Sequence, residues 1–233
     1  TCSIGVAPIM ETTPDAKKVL TNADAACTVA KGDKGNKVHI HTVADELAGL
    51  EEDRAWAERI RLALKDNRFV LHFQPIVSLH AEPAARYEAL IRMLDEKGEL
   101  ILPGRFMQAA ETAQLMIDID RWVMKSAAKA MLEKRKEGKD IRFFIKLSND
   151  SLEDPTLLPW ISKLLTAARI HGSSFVFEVS EASALNNLKA TKSLSSGLHQ
   201  LNCLFALDHV GNDNPSLKYL SHFDVNFLKI DGA

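Results

Sequence analysis

Charged side chains recur at the ends of five predicted strands from residue 87 onward in this chain of 233 residues. These ends carry Glu88 with Arg92, Lys146, Glu178, Asp208 with His209, and Lys229 with Asp231. Since the carboxyl ends of parallel strands meet at one rim of a barrel, we expect these side chains to converge. Converging carboxylates bind hard divalent cations through oxygen. Two such cations, with a lysine that orients water, are a usual device for phosphodiester hydrolysis.

The elements that would position these side chains alternate from residue 69 onward. Strands are predicted over 69–77, 87–92, 142–147, 175–180, 204–208 and 226–230. Helices are predicted over 104–113, 119–137, 156–171, 183–200 and 215–220. Such alternation indicates parallel strands with crossover helices. Six strands without a glycine-rich phosphate loop favour a barrel over a dinucleotide-binding sheet.

The first part of the chain has a different organisation. Residues 1–41 read as strand, helix and strand, which is too little to bury a core alone. Residues 42–67 are rich in Ala, Leu, Glu and Arg and predict a linker helix. We therefore expect the larger domain to occupy residues 68–233. Because residues 1–7 already look like a strand inside a domain, the sequence leaves a membrane anchor upstream open.

Composition excludes several classes of partner. Net charge is −2, from 29 basic and 31 acidic residues, so a nucleic acid polymer is not an expected partner. Cys2, Cys27 and Cys203 form no CxxC pair, which is typical of free thiols in a cytoplasmic protein. No apolar run reaches the length of a membrane span, so we expect no membrane contact in this region.

Short motifs carry the charged residues in a fixed order. They are Gln74-Pro75-Ile76, Glu88-Ala89-Leu90-Ile91-Arg92, Pro103-x-x-Phe106, Ala110-Glu111, Asp120-Arg121-Trp122-Val123, Glu178-Val179-Ser180-Glu181 and Lys229-Ile230-Asp231. The ordered set resembles the QPI, EAL-x-R, P-x-x-F, AE, DxWV, ExTE and KID motifs of EAL domains. The resemblance implies an α/β fold with a TIM-like (β/α) barrel of EAL type, incomplete here because the last two strands of the family are missing from the chain. It also implies a bacterial protein that binds cyclic di-GMP, which active members hydrolyse to linear pGpG with Mg²⁺ or Mn²⁺.

The first residues resemble a second family. Ser3-Ile4-Gly5-Val6-Ala7, Ala23-Asp24-Ala25-Ala26 and Ala30-Lys31-x3-Gly35-Asn36 are similar to the last segments of GGDEF domains. The GGDEF signature itself would lie upstream. This stretch, residues 1–41, is therefore expected to contain no cyclase active site.

Two positions depart from the EAL pattern. Lys146 stands where the family has an asparagine metal ligand, and an ammonium group cannot coordinate a cation. It could supply the positive charge of a metal, or it could turn into solvent. His209 replaces an aspartate that binds the second metal, and Mg²⁺ prefers oxygen. The resemblance then leaves as vestigial metal ligands Glu88, Glu178, Asp208 and Asp231, and as vestigial catalytic residues Glu88 and Lys229.

The positions that would contact the nucleotide match the family better. Gln74 can hydrogen-bond a guanine or phosphate edge, and Leu90 offers an apolar surface to a base. Arg92 offers a forked cation to a phosphate. Asp120 can accept the N1–H and N2–H of guanine. Two simpler interpretations remain, since Leu90 could belong to the core and Asp120 could be a helix N-cap.

Three functions follow from these residues. The first is an inactive receptor for cyclic di-GMP that requires no cofactor for binding. It would be similar to FimX-type receptors, which act in type IV pilus regulation and contact PilZ-type proteins. The second is an active phosphodiesterase with Mg²⁺ or Mn²⁺, and the third is a protein-interaction scaffold without nucleotide. A homodimer is a further expectation from the family.

Overall fold

The computed structural model describes residues 1–10, 15–32, 35–79, 85–211 and 217–232. The strands are β1 (Ile4–Val6), β2 (Val38–Ile40), β3 (Phe69–Ile76), β4 (Ala85–Leu94), β5 (Leu100–Ile101), β6 (Ile141–Lys146), β7 (Phe175–Ser180), β8 (Leu204–Val210) and β9 (Phe227–Ile230). The helices are α1 (Ala16–Lys31), α2 (Val43–Lys65), α3 (Met107–Thr112), α4 (Met116–Lys136), α5 (Asn149–Glu153), α6 (Leu157–Ala168), α7 (Glu181–Asn186) and α8 (Leu188–Gln200). Single 3₁₀ turns cover Pro103–Arg105, Gly172–Ser174 and Leu217–His222. The chain divides into two compact units, Thr1–Glu58 and Arg59–Ala233.

The smaller unit contains a parallel pair of short strands, β1 and β2, joined through α1. Asp15 caps α1, because its carboxylate accepts a hydrogen bond of 2.7 Å from the backbone N–H of Lys18. Gly5 lets β1 approach α1 closely. A Cβ at Gly5 would lie 2.2 Å from the carbonyl oxygen of Ala23. The helix predicted in the linker is present as α2, and the division into domains at residues 41 and 67 stays a prediction.

The larger unit contains a mixed sheet with the strand order β3-β4-β6-β7-β8-β9, and β5 pairs with β4. From β4 to β9 the strands along this path are parallel, as the alternation predicted. β3 is antiparallel to β4, so the expectation of parallel strands throughout is wrong for the first strand. The reason is the connection over residues 77–84, which is shorter than the dozen or more residues that a parallel crossover needs.

Side chains of the parallel strands form two layers on one face of this sheet. Phe144, Val176 and Ala206 are buried against each other, with Ile76, Leu204 and Phe227 around them. Since side chains on one face of a strand recur every second residue, the next layer is two residues further along. It consists of Lys146, Glu178, Asp208 and Lys229. A hydrophobic layer therefore supports the charged residues at the carboxyl ends of the strands.

The helices differ from the predicted pattern in several places. The helix predicted over 183–200 is two helices, because Asn187 has a non-helical backbone conformation (φ −126°, ψ 49°). A short helix, α5, was not predicted, and Ser148 caps it by accepting a hydrogen bond of 3.2 Å from the N–H of Ser151. The helix predicted over 215–220 lies partly outside the described residues, and its described part is the 3₁₀ turn Leu217–His222. None of the helices in the described parts of the chain has the length and apolarity that a membrane span requires.

Candidate functional site

Three carboxylates meet around one lysine at the carboxyl ends of the strands. Glu88 of β4, Glu178 of β7 and Asp208 of β8 are largely buried and form what we call the carboxylate cluster. Lys229 of β9 donates to Glu88 Oε2 at 2.9 Å and lies 3.0 Å from Glu178 Oε1. Its Nζ is 3.6 Å from Asp208 Oδ1. The structure thus brings residues from three separate strands onto a single ammonium group, and the alternation in the sequence predicted this convergence.

A second lysine bridges the same cluster from the solvent side. The Nζ of Lys146 lies 3.2 Å from Glu88 Oε1 and 3.0 Å from Asp208 Oδ2. Its side chain is 49% exposed, whereas that of Glu178 is fully buried. Of the two alternatives for Lys146, the structure shows the side chain turned into the cluster. Lys146 and Lys229 are called the lysine pair below.

The pKa values follow from this packing. Burial raises the pKa of Glu178 to about 7, although the charge of Lys229 opposes the shift. Burial alone would lower the pKa of Lys146, but its hydrogen bond to Asp208 and the nearby carboxylate charges outweigh it, so this pKa is raised. For Asp208, burial acts to raise the pKa, but the hydrogen bond from Lys146 and the lysine charges bring it below its ordinary value. The lysine pair is therefore firmly protonated at neutral pH.

His209 and Asp231 lie at the edge of the cluster. The Nε2 of His209 is 3.5 Å from Asp208 Oδ2, and its Nδ1 is 3.4 Å from Asp231 Oδ1. His209 has a left-handed backbone conformation (φ +56°), which is uncommon for a residue with a side chain. The imidazole is more than half exposed. His209 thus lies between the carboxylates of Asp208 and Asp231.

The cluster does not fit the pair of divalent ions that the EAL resemblance implies. Mg²⁺ and similar ions need several oxygen ligands at about 2.0–2.6 Å, all turned toward one point. Here the point between Glu88 and Asp208 holds the ammonium group of Lys146. Within the described ranges, no group of three or more His, Cys, Asp or Glu side chains is arranged to hold a metal ion. No role at this site is therefore assigned to a metal ion.

A cleft of about 440 Å³ opens next to the cluster, between β4, α4 and the end of β6. This volume is in the range of small-molecule sites. Leu90 and Arg92 line it, as expected from their spacing of two along β4. Both are half-buried, and one guanidinium nitrogen of Arg92 donates to the carbonyl of Ile91 at 2.7 Å. The remaining N–H groups of Arg92 are the candidate phosphate donors of this cleft.

Asp120 also lines the cleft, but most of it is buried. It is 5% exposed, and its Oδ2 accepts hydrogen bonds from the backbone N–H (2.9 Å) and the hydroxyl (2.7 Å) of Ser148. Burial raises its pKa, and the hydrogen bonds from Ser148 oppose the shift. Because α4 begins at Met116, Asp120 is not the N-cap of that helix. Its hydrogen bonds hold the start of α5 against α4.

Gln74 is not among the residues that line the cleft. It is exposed on β3 and lies opposite Glu88 in the β3–β4 ladder. Because directly opposed residues of an antiparallel pair share a face, its side chain lies on the face of the sheet that carries Glu88. The proposed contact of Gln74 with a guanine or phosphate stays a prediction.

Sequence reasoning missed two hydrogen-bonded residues near the site. One is Ser148, which lies two residues after the end of β6 and whose partner Asp120 is 28 positions away in the chain. The other is Tyr219, whose hydroxyl donates to Oε1 of the buried Glu181. The backbone N–H of Gly211 donates to Oε2 of the same carboxylate at 3.0 Å. Glu181 thus ties the segment after β8 to the start of α7.

Comparison with known proteins agrees with this geometry. The crystal structure of the FimX EAL domain from Pseudomonas aeruginosa bound to c-di-GMP is similar, with a TM-score of 0.72 and 39% identity, over 76% of this chain and 71% of that chain. Cyclic di-GMP phosphodiesterase PdeB of Shewanella oneidensis is 33% identical over 99% of this chain and 27% of its own length. The bifunctional diguanylate cyclase/cyclic di-GMP phosphodiesterase MucR of Pseudomonas aeruginosa is 28% identical over 98% of this chain and 33% of its own length.

The chain spans between a quarter and a third of the length of these two curated relatives. The EAL domain family matches residues 57–233, which include the carboxylate cluster, the lysine pair and the cleft. The motifs predicted this family from the sequence, and the match confirms it. The chain belongs to the EAL domain family.

Proposed function

We propose that this protein is a receptor for cyclic di-GMP whose EAL domain binds the nucleotide and does not hydrolyse it. One observation supports the proposal most: a cleft of ligand size places Leu90 and Arg92 beside a carboxylate cluster that is already paired with two lysines. The similar FimX domain binds cyclic di-GMP in its crystal structure, which supports this choice of ligand.

The cleft offers complementary groups for each part of such a ligand. The guanidinium of Arg92 can donate two parallel hydrogen bonds to a phosphodiester. Leu90 provides an apolar surface on which a guanine can pack. Asp120 is the candidate acceptor for the guanine N–H groups, with one of its oxygens already engaged by Ser148. Binding by these groups requires no metal ion.

Hydrolysis is not expected because the cluster lacks room for the ions that would activate water. Lys146 and Lys229 contact the carboxylate oxygens that would otherwise be ligands. A carboxylate that accepts from an ammonium group is a weaker ligand, and the ammonium group repels a cation. Some relatives are named as phosphodiesterases, but we propose that this chain shares their fold and not their activity.

Calorimetric titration of cyclic di-GMP into the protein in EDTA tests the proposal. We expect saturable binding, and Arg92→Ala should weaken it by about tenfold to a hundredfold, since hydrogen bonds to charged groups contribute about 1.5–3 kcal/mol. Arg54→Ala is a matched control, because Arg54 is an exposed arginine on α2. Absence of binding with and without Mg²⁺ would leave the protein-interaction scaffold as the remaining function.

Phosphodiesterase activity is the second candidate. It is favoured by the contacts that bring Lys229 together with Glu88, Glu178 and Asp208. Incubation with cyclic di-GMP and Mn²⁺, followed by chromatography, measures the formation of pGpG. Turnover of about 1 s⁻¹ or faster, as in ordinary enzymes, would show that the protein is a phosphodiesterase and would contradict the receptor proposal. We expect no product above the level of a boiled control.

The remaining expectations concern the rest of the protein. We propose that residues 1–41 are the end of a GGDEF domain, because the match to MucR extends over this part of the chain. We also propose a cytoplasmic receptor that forms a homodimer and contacts a PilZ-type protein in type IV pilus regulation, by analogy with FimX. Pull-down of a purified PilZ-type protein with and without cyclic di-GMP tests that partner, and equal recovery from beads without the receptor would argue against it.

A further inference from the structure

We infer that Lys146 is a tethered cation that replaces a divalent ion at this site, and that its remaining N–H group binds the phosphodiester of the ligand. The first half of the inference concerns the protein alone. The second half rests on the proposed function, since it requires an anionic ligand in the cleft. Both parts depend on the position of the Nζ atom of Lys146.

The hydrogen-bonding capacity of Lys146 supports the inference. An ammonium group has three N–H donors and no acceptor. The contacts with Glu88 Oε1 (3.2 Å) and Asp208 Oδ2 (3.0 Å) use two of them. The side chain is 49% exposed and lines the cleft that holds Leu90 and Arg92. One donor is therefore left to face a ligand in the cleft.

The backbone fixes Lys146 in this position. Lys146 is the last residue of β6 and pairs with Glu178 in the β6–β7 ladder. The next residue, Leu147, donates its N–H to the carbonyl of Glu178 at 2.9 Å. Ser148, which follows Leu147, donates its N–H and hydroxyl to the buried Asp120. Strand pairing on one side and this pair of hydrogen bonds on the other aim the lysine at the cluster.

Charge balance explains why a lysine changes what the site can bind. With all three carboxylates ionised, the carboxylate cluster and the lysine pair carry one net negative charge, and protonation of Glu178, whose pKa burial raises to about 7, brings that charge to zero. Without Lys146 the balance would be two negative charges, which would attract a divalent cation and repel a phosphodiester. With Lys146 in place, a phosphodiester can bind beside the cluster without a metal ion that first compensates the carboxylate charge. The same residue thus accounts for exclusion of metal and acceptance of phosphate.

Titration of Mn²⁺ into the protein without nucleotide tests the first half. We expect no saturable Mn²⁺ binding by the wild type up to about 1 mM, and we expect Lys146→Asn to raise Mn²⁺ affinity about tenfold or more, since a positive charge is exchanged for an oxygen ligand. Lys146→Met removes the charge without adding a ligand, and its Mn²⁺ affinity should lie between the two. Lys163→Asn is the matched control, because Lys163 is exposed on α6.

Titration of cyclic di-GMP in EDTA tests the second half. Lys146→Asn and Lys146→Met should each bind the nucleotide about tenfold or more weakly than the wild type, since they lose a charged hydrogen-bond donor. Added Mn²⁺ should restore binding by Lys146→Asn more than by Lys146→Met. Equal nucleotide affinity of all three proteins would overturn this half and leave the receptor function standing.

The outcomes also separate this inference from the proposed function. If the wild type binds no nucleotide, the receptor proposal fails, while the Mn²⁺ titration still decides whether Lys146 excludes metal. Saturable Mn²⁺ binding by the wild type at micromolar concentrations would contradict the inference that Lys146 takes the place of a divalent ion. This last measurement uses unaltered protein, so it holds even if a variant does not fold.

Discussion

Replacement of Asp120 by alanine should destabilise the larger unit through the loss of its link to Ser148. Asp120 is 5% exposed and accepts hydrogen bonds of 2.9 and 2.7 Å from the N–H and hydroxyl of Ser148. Hydrogen bonds to a charged group contribute about 1.5–3 kcal/mol each, and the cost of burying the carboxylate offsets part of that sum. We expect Asp120→Ala to lower the free energy of unfolding by about 2–4 kcal/mol.

Urea unfolding followed by tryptophan fluorescence measures this loss, with Asp118→Ala as the matched control. Asp118 is exposed in the first turn of the same helix, where an acidic residue contributes about 0.3–1 kcal/mol through the helix dipole. Asp120→Asn keeps a carbonyl oxygen as acceptor for Ser148 and should lose less stability than Asp120→Ala. Equal destabilisation by Asp118→Ala and Asp120→Ala would refute the reasoning, because it would show that the link to Ser148 carries no energy.

Three further predictions concern other parts of the chain. Gly5→Ala should destabilise the smaller unit by about 1–3 kcal/mol, since its Cβ would meet the backbone of α1 at 2.2 Å, and faster hydrogen exchange in β1 and β2 would report it. Burial raises the pKa of Cys203 to about 12, so at pH 8 iodoacetamide should label the exposed Cys2 and not Cys203 until urea is added; mass spectrometry of the peptides measures this, and equal labelling without urea would contradict it. Tyr219→Phe removes a donor from the buried Glu181 and should cost about 1–3 kcal/mol in urea unfolding, whereas an unchanged midpoint would argue against that contact.

Local periodicity was enough to predict the face of β4 that carries the site. A spacing of two places Glu88, Leu90 and Arg92 on the same side of the strand, and the structure has Glu88 in the cluster with the other two in the adjacent cleft. The order of strands and helices likewise predicted that the charged ends of β6, β7 and β8 would converge. These features depend on strand geometry and chain order, which a single sequence contains.

Other features depend on contacts between distant residues, and the sequence did not predict them. Ser148 bonds to Asp120 across 28 positions of the chain, so no window of neighbouring residues contains both. The direction in which Lys146 points was left open for the same reason, because its partners Glu88 and Asp208 lie on other strands.

We propose that this EAL domain binds cyclic di-GMP without a divalent metal, and one calorimetric titration can decide this. The protein, freed of metal by EDTA, is titrated with cyclic di-GMP, and the heat of binding is followed to saturation. We expect saturable binding in EDTA that does not strengthen when Mg²⁺ is supplied in excess. Binding that appears only after Mg²⁺ is added would contradict it.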